Sequence, residues 1–151
     1  MSFQTVIFGG TFDRIHDGHR LMFQKAVDLV QNNGTIIIGL TGQALLENKA
    51  HKDKILSYEQ RLLNVTNELR QLTNKQFELT FDEINTKDGS ATINEYENGA
   101  LIVSEETLKG GEHINEVRTQ KGLKTLFLAV VGLVKSPNGD KLSSTQIREK
   151  E

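Results

Sequence analysis

The chain has 151 residues, enough for one domain that buries roughly two-thirds of its unfolded surface, and it contains no cysteine, which excludes disulfides, thiolate catalysis and cysteine-ligated metals. Eighteen lysines and arginines stand against twenty aspartates and glutamates, a formal charge of −2, so general attraction to nucleic acid or an anionic membrane is not indicated and the cations must act locally. No apolar run approaches the ~18 residues of a membrane span and Met1 leads directly into a strand-like run, so the expectation is a cytoplasmic protein folded as a single domain over residues 1–151.

Thr5 to Phe8 is the first expected strand, and residues 9 to 19, GGTFDRIHDGH, follow it. Leu21, Met22, Ala26, Leu29 and Val30 then recur at helical spacing, which predicts a helix from about His19 to Gln31, stopped by Asn32, Asn33 and Gly34. Thr35 to Leu40 reads as the second strand, and the lysine-rich stretch from Asn48 to Leu56 as a surface loop. Ser57 and Gln60 have capping-box spacing at the head of a second helix that continues through Leu62, Leu63, Val65 and Leu69. Further strands are expected at Phe77 to Glu83, Leu101 to Val103 and Thr125 to Val131, with a loop at Asn85 to Ser90. A shorter helix is expected from Glu112 to Lys121, closed by Gly122, and a final one from about Ser144 after a turn around Pro137. Alternation of this kind implies a parallel sheet covered by helices.

Two segments carry chemistry. Gly9 and Gly10 remove side chains at a strand-to-helix turn, where phosphates can approach backbone amides, and Thr11 adds a hydroxyl. His16 and His19, about one helical turn apart, can point the same way and grip one group. No third ligand accompanies them, so a zinc site is not expected. At the other end LSSTQIRE, residues 142 to 149, combines the hydroxyls of Ser143, Ser144 and Thr145 with a helix start and Arg148 one turn later, an arrangement suited to a triphosphate or simply to capping a helix.

GGTFDRIHDGH and LSSTQIR together resemble the HxGH and ISSTxIR signatures of the nucleotidyltransferases, and VSEETLKGGEHINEVR, residues 103 to 118, resembles the central motif of the archaeal and eukaryotic type of phosphopantetheine adenylyltransferase. The resemblance implies a Rossmann-like nucleotidyltransferase fold, an α/β architecture whose five-stranded, mainly parallel sheet is flanked by helices. It also implies transfer of the adenylyl group of ATP to 4′-phosphopantetheine, with Mg2+ accompanying ATP and with no nucleic-acid or membrane partner. His16, His19 and Lys49 are the implied catalytic residues. Gly10, Thr11, Phe12, His19, Ser104, Glu105, Thr107, Lys109, Gly110, Arg118, Ser143, Ser144, Thr145 and Arg148 are implied on ATP, and Thr11 and Lys49 on phosphopantetheine. Lys52 and Lys54 compete with Lys49 for the acceptor phosphate, His51 and His113 have no implied role, and a monomer is expected. Two departures stand out: TKDGS, residues 86 to 90, replaces an aromatic and proline-containing loop, and Gln146 stands where the motif often has arginine. A cytidylyltransferase acting on a small phosphorylated alcohol, and a nucleotide-binding module without catalysis, are the alternative readings.

Overall fold

Val6 and Phe8 have no exposed surface and Ile7 almost none, so the first apolar run is covered on both faces, as the centre of a parallel sheet requires. In the computed structural model, which describes residues 1–42, 46, 55–85, 96 and 98–132, this run is strand β1, Phe3–Gly10. Strands β2 (Val30–Thr41), β3 (Phe77–Ile84), β4 (Gly99–Ser104) and β5 (Phe127–Val131) join it in the order β3-β2-β1-β4-β5, every pairing parallel. Helices α1 (Asp17–Leu29), α2 (Tyr58–Leu72) and α3 (Leu108–Gln120) cover the two faces. Phe23, Ala26, Val27, Val65 and Leu69 pack α1 and α2 onto the Val6 and Phe8 face, whereas Leu108 and Ile114 of α3 pack against Ile7, Leu101 and Val103 on the other. The chain leaves the middle of the sheet in both directions, so the carboxyl ends of β1 and β4 flank the crevice where such sheets bind ligands.

Local chemistry explains where the elements depart from their expected limits. Helix α1 ends at Leu29, and Val30 already pairs with Phe3 of β1. The next matched pair is Thr5 with Thr35, so residues 31–34 are accommodated as an irregularity in the ladder. The left-handed residue there is Asn33, at φ 66°, rather than Gly34. Gly34 is needed because a Cβ would come within 2.7 Å of the Gln4 carbonyl oxygen. Ser57 does cap α2, its Oγ accepting from the Gln60 amide at 3.2 Å, but the Gln60 side chain donates onward to Asn64 instead of completing a capping box. Helix α3 begins at Leu108, four residues before the expected start, which places Gly110 and Gly111 inside its first turn. Its end is as expected: Gly122 takes φ 78°, Leu123 donates to the Arg118 carbonyl at 2.8 Å, and Gly122 to that of Thr119.

No helix among the described residues is long and apolar enough to cross a membrane. The expected final helix and the loops around residues 48–54, 86–90 and 137 lie outside the described residues.

One cation closes α1 from a distance. Lys75 Nζ donates to the carbonyls of Val27 and Val30 at 2.7 Å each, meeting the carbonyls that a helix end leaves without partners. Lys75→Met is expected to destabilise the protein by about 1.5–3 kcal/mol, the range for hydrogen bonds to a charged group. Urea unfolding with an unchanged midpoint would show that water satisfies these carbonyls equally well.

Candidate active site

The turn from β1 into α1 is shaped by Phe12. Its backbone is left-handed, at φ 51°, and its ring folds back so closely that a Cβ on Gly10 would lie 3.0 Å from it. Gly10 thus makes room for a protein side chain at the turn. The Phe12 ring is almost fully buried, edge-on to Phe8, tilted against Phe23 and edge-on to His19 at 4.9 Å between centroids.

His16 is the N-cap of α1. Its Nδ1 accepts from the Gly18 amide at 3.1 Å, and His19 Nδ1 accepts from the His16 amide at 3.4 Å, a capping box built from two imidazoles. The rings stack at 3.9 Å. Gly18 is glycine because a Cβ would sit 3.0 Å from the His16 ring. With both Nδ1 atoms accepting, the hydrogen-bond network assigns the proton of each neutral ring to Nε2.

Burial first, and the adjacent His16 second, lower the His19 pKa to about 3, against a hydrogen bond with the Arg14 backbone that raises it. His16 is also lowered, mainly by burial, with Asp17 opposing. His19 is therefore an uncharged hydrogen-bond donor at neutral pH and a poor base.

A cavity of about 640 Å3 opens at the carboxyl edge of β1 and β4. Gly9, Gly10, Phe12, His19 and Met22 line one side, and Ser104, Thr107, Lys109, Gly110, Gly111 and His113 the other. Thr107 is the N-cap of α3, yet its Oγ1 accepts from the Ser104 amide at 2.8 Å and lies 3.1 Å from Ser104 Oγ, so it gives no side-chain cap to the helix. Among the described residues no side chain caps the first-turn amides of α3, the kind of helix start that suits an anion. The paired glycines differ. A Cβ on Gly111 would approach Val103 and Leu128 at 3.1 and 3.2 Å, which is close helix-to-sheet packing, whereas one on Gly110 would meet nothing within 4 Å.

The structure thus brings Gly10, Phe12, His19, Ser104, Thr107, Lys109 and Gly110 to one cavity. His113, without an implied role, also lines it. Thr11 stands beside it, its hydroxyl donating to Thr41 Oγ1 at 3.2 Å, and Glu105 is exposed on the turn after β4. Arg118, implied on ATP, does not line this cavity: it is buried in the last turn of α3, Nε donating to the Lys124 carbonyl at 2.6 Å and the guanidinium over the Tyr96 ring. Eleven residues of helix carry it roughly 16 Å from the Thr107 end. Lys49, Lys52, Lys54, Ser143, Ser144, Thr145, Gln146 and Arg148 lie outside the described residues.

Two buried charged residues, Asp13 in the turn and Arg61 on α2, stand behind the site. Asp13 is buried, accepting from the Leu56 amide at 2.7 Å and from Arg14 at 3.0 Å. Arg61 is fully buried and holds three backbone carbonyls. Its signal in the sequence is a charge at the i position of the Arg61, Val65, Leu69 stripe that α2 buries. A second cavity, about 450 Å3 between Asp13, Arg14 and α2, holds neither histidine.

Between pH 6.5 and about 3 the unfolded chain binds a proton at His19 that the folded chain refuses, so this contribution to stability is intact above pH 6.5 and is lost as pH falls through that window. His19→Gln should unfold with a shallower loss of stability from pH 6.5 to 4 than the parent chain; parallel pH curves from urea titrations would contradict the buried, neutral imidazole.

Residues 7–150 match the cytidylyltransferase-like family. A phosphopantetheine adenylyltransferase of Pyrococcus abyssi is 39% identical over 150 residues, covering 98% of this chain and 90% of that protein. Another from Thermococcus gammatolerans is 40% identical over 149 residues, covering 97% and 88%. A solved protein of Archaeoglobus fulgidus, described as of unknown function, superposes with a TM-score of 0.70 at 22% identity over 92% of this chain and 99% of its own, a likeness of fold. Spanning nearly the whole chain, these similarities show that it belongs to the phosphopantetheine adenylyltransferase family, within the cytidylyltransferase-like proteins.

Proposed function

We propose that the protein transfers the adenylyl group of ATP to the phosphate of 4′-phosphopantetheine, giving dephospho-coenzyme A and pyrophosphate. The observation that carries this reading is the cavity itself: His19, stacked on the His16 cap of α1, lines it together with the amino end of α3, in a chain 39% identical to an archaeal phosphopantetheine adenylyltransferase.

A phosphate oxygen of the acceptor attacks the α-phosphorus of ATP, the new P–O bond forms, and the bond to the β-phosphate oxygen breaks as pyrophosphate leaves. No base is needed, because a phosphomonoester with a second pKa near ~6 is already mostly ionised. His19, held near pKa 3, could not serve as one at neutral pH. The residues instead orient the two anions and donate hydrogen bonds to charge that grows on the transferred and departing phosphates. His16 and His19 are assigned to the reacting phosphates on the strength of the motif, and the α3 amides, Lys109 and the close approach at Gly110 serve the nucleotide. Thr11 and Lys49 are assigned to the acceptor phosphate, and Ser143, Ser144, Thr145 and Arg148 to the triphosphate, on the strength of the motifs. Among the described residues no three His, Cys, Asp or Glu could hold a metal together, and Asp13 is committed to Leu56 and Arg14. This donor set fits a magnesium ion carried by the nucleotide's own phosphates and water, where it would screen charge. A cytoplasmic monomer acting on these small molecules, without nucleic acid or membrane, completes the reading.

Pyrophosphate release should require ATP and 4′-phosphopantetheine together, and His19→Ala should lower kcat by about 100-fold or more, the loss typical of one transition-state donor. Because the matched family is cytidylyltransferase-like, CTP with small phosphorylated alcohols is the comparison, and a clear preference for that pair would replace this assignment.

Gly110→Ala separates ligand from packing. Among the described residues the added methyl meets nothing within 4 Å, and it should raise helix stability by up to about 1 kcal/mol, while increasing the KM for ATP several-fold. An unaltered ATP KM in this variant would remove Gly110 from the nucleotide site.

A further inference from the structure

Arg61 lies on the stripe of α2 that packs into the core, where an apolar side chain would avoid taking a charge out of water. Its hydrogen bonds reach far along the chain. Nη1 donates to the carbonyl of Thr11, 50 residues away, at 3.0 Å and to that of Thr41, 20 residues away, at 2.9 Å, while Nε donates to the Leu56 carbonyl at 3.0 Å. The carbonyls belong to three different segments: the turn after β1, the last residue of β2, and the residue before the Ser57 cap of α2. The Leu56 peptide is held on its other side by Asp13, whose carboxylate accepts the Leu56 amide at 2.7 Å. Thr11 and Thr41 are tied again through their hydroxyls at 3.2 Å. Burial lowers the Arg61 pKa, Asp13 acts against that, and the Tyr58 ring lies 5.7 Å from the guanidinium. Its second terminal nitrogen is buried without a hydrogen-bond partner among the described residues, a further cost that stability does not explain.

We propose that Arg61 is a positioning residue for the acceptor half of the reaction, locking the ends of β1 and β2 and the head of α2 into one rigid floor on which Thr11 meets the acceptor phosphate. The inference rests on the adenylyl-transfer reading. Its selectivity follows from topology. All three carbonyls lie on the β1 and β2 side, whereas Ser104, Thr107, Lys109 and Gly110 stand on β4 and α3 and touch none of them. Loosening the floor therefore moves the acceptor site and leaves the β4 and α3 side of the nucleotide site in place. Lysine cannot replace arginine here, since a single ammonium cannot reproduce the forked donors of a guanidinium.

The test is steady-state kinetics of Arg61→Lys and Arg61→Met with ATP and 4′-phosphopantetheine, beside ATP binding by calorimetry, below the unfolding temperature of each variant. Both should lower kcat/KM for the acceptor by roughly 10- to 100-fold, as misplacement of about 1 Å does, with the ATP Kd changed several-fold less than that and Arg61→Lys the milder. Equal loss of acceptor use and ATP affinity, or parent-like kinetics per folded molecule, overturns the proposal. Should both variants fail to fold, Thr41→Val, which removes the hydroxyl tie and keeps Arg61, should raise the acceptor KM several-fold, and no change there also overturns it. Absence of parent turnover with 4′-phosphopantetheine would instead retire the functional reading, and the same split would be measured with whichever acceptor the parent protein uses.

Discussion

The site hangs on one residue held in an unfavourable backbone conformation. A left-handed phenylalanine costs on the order of 1–3 kcal/mol, and Phe12 adopts it because its ring gains a buried place among Phe8, Phe23 and His19. That reversal brings the chain off β1 at the angle that lets His16 cap α1 and lays the two imidazoles face to face. It also dictates Gly10, over which the ring folds, while Gly18 gives way to the His16 ring. The motif is thus held by packing beneath it as much as by the bonds within it.

This framework has an electrostatic result. A pair of stacked histidines could hold positive charge for a triphosphate, but their contact and burial favour the neutral forms. The described part of the site therefore offers uncharged polar groups at the carboxyl edge of the sheet: the His19 ring and a helix end whose cap residue, Thr107, spends its hydroxyl on Ser104. Fixed dipoles need little reorganisation as charge moves between phosphates. Net cationic charge is left to lysine and arginine side chains.

How much of this could be read along the chain depends on how local each cause is. The alternation of strands and helices, the Ser57 cap and the Gly122 stop are short-range patterns, and they stand in the structure where expected. Helix α1 starts earlier than expected because histidine is not among the usual N-cap residues, so His16 gave no boundary signal. Helix α3 starts early because its two glycines read as a passage, whereas Gly111 is there for tight packing on Val103 and Leu128. Arg118 lies off the cavity for a related reason: a motif puts residues in order, but the helix between them carries one end away from the cleft.

By itself the sequence determined the fold class, the family and the two segments, residues 9–19 and 104–111, that meet at the cavity, because hydrophobic period, turn residues and motif order are properties of neighbours along the chain. Only the tertiary structure decided that His19 is neutral, that Gly10 yields to Phe12, that Asp13 and Arg61 hold Leu56 from both sides, and that His113 reaches the cavity while Arg118 does not. Desolvation and hydrogen bonding between residues up to 50 positions apart exist only once the sheet has formed, so no local pattern can encode them.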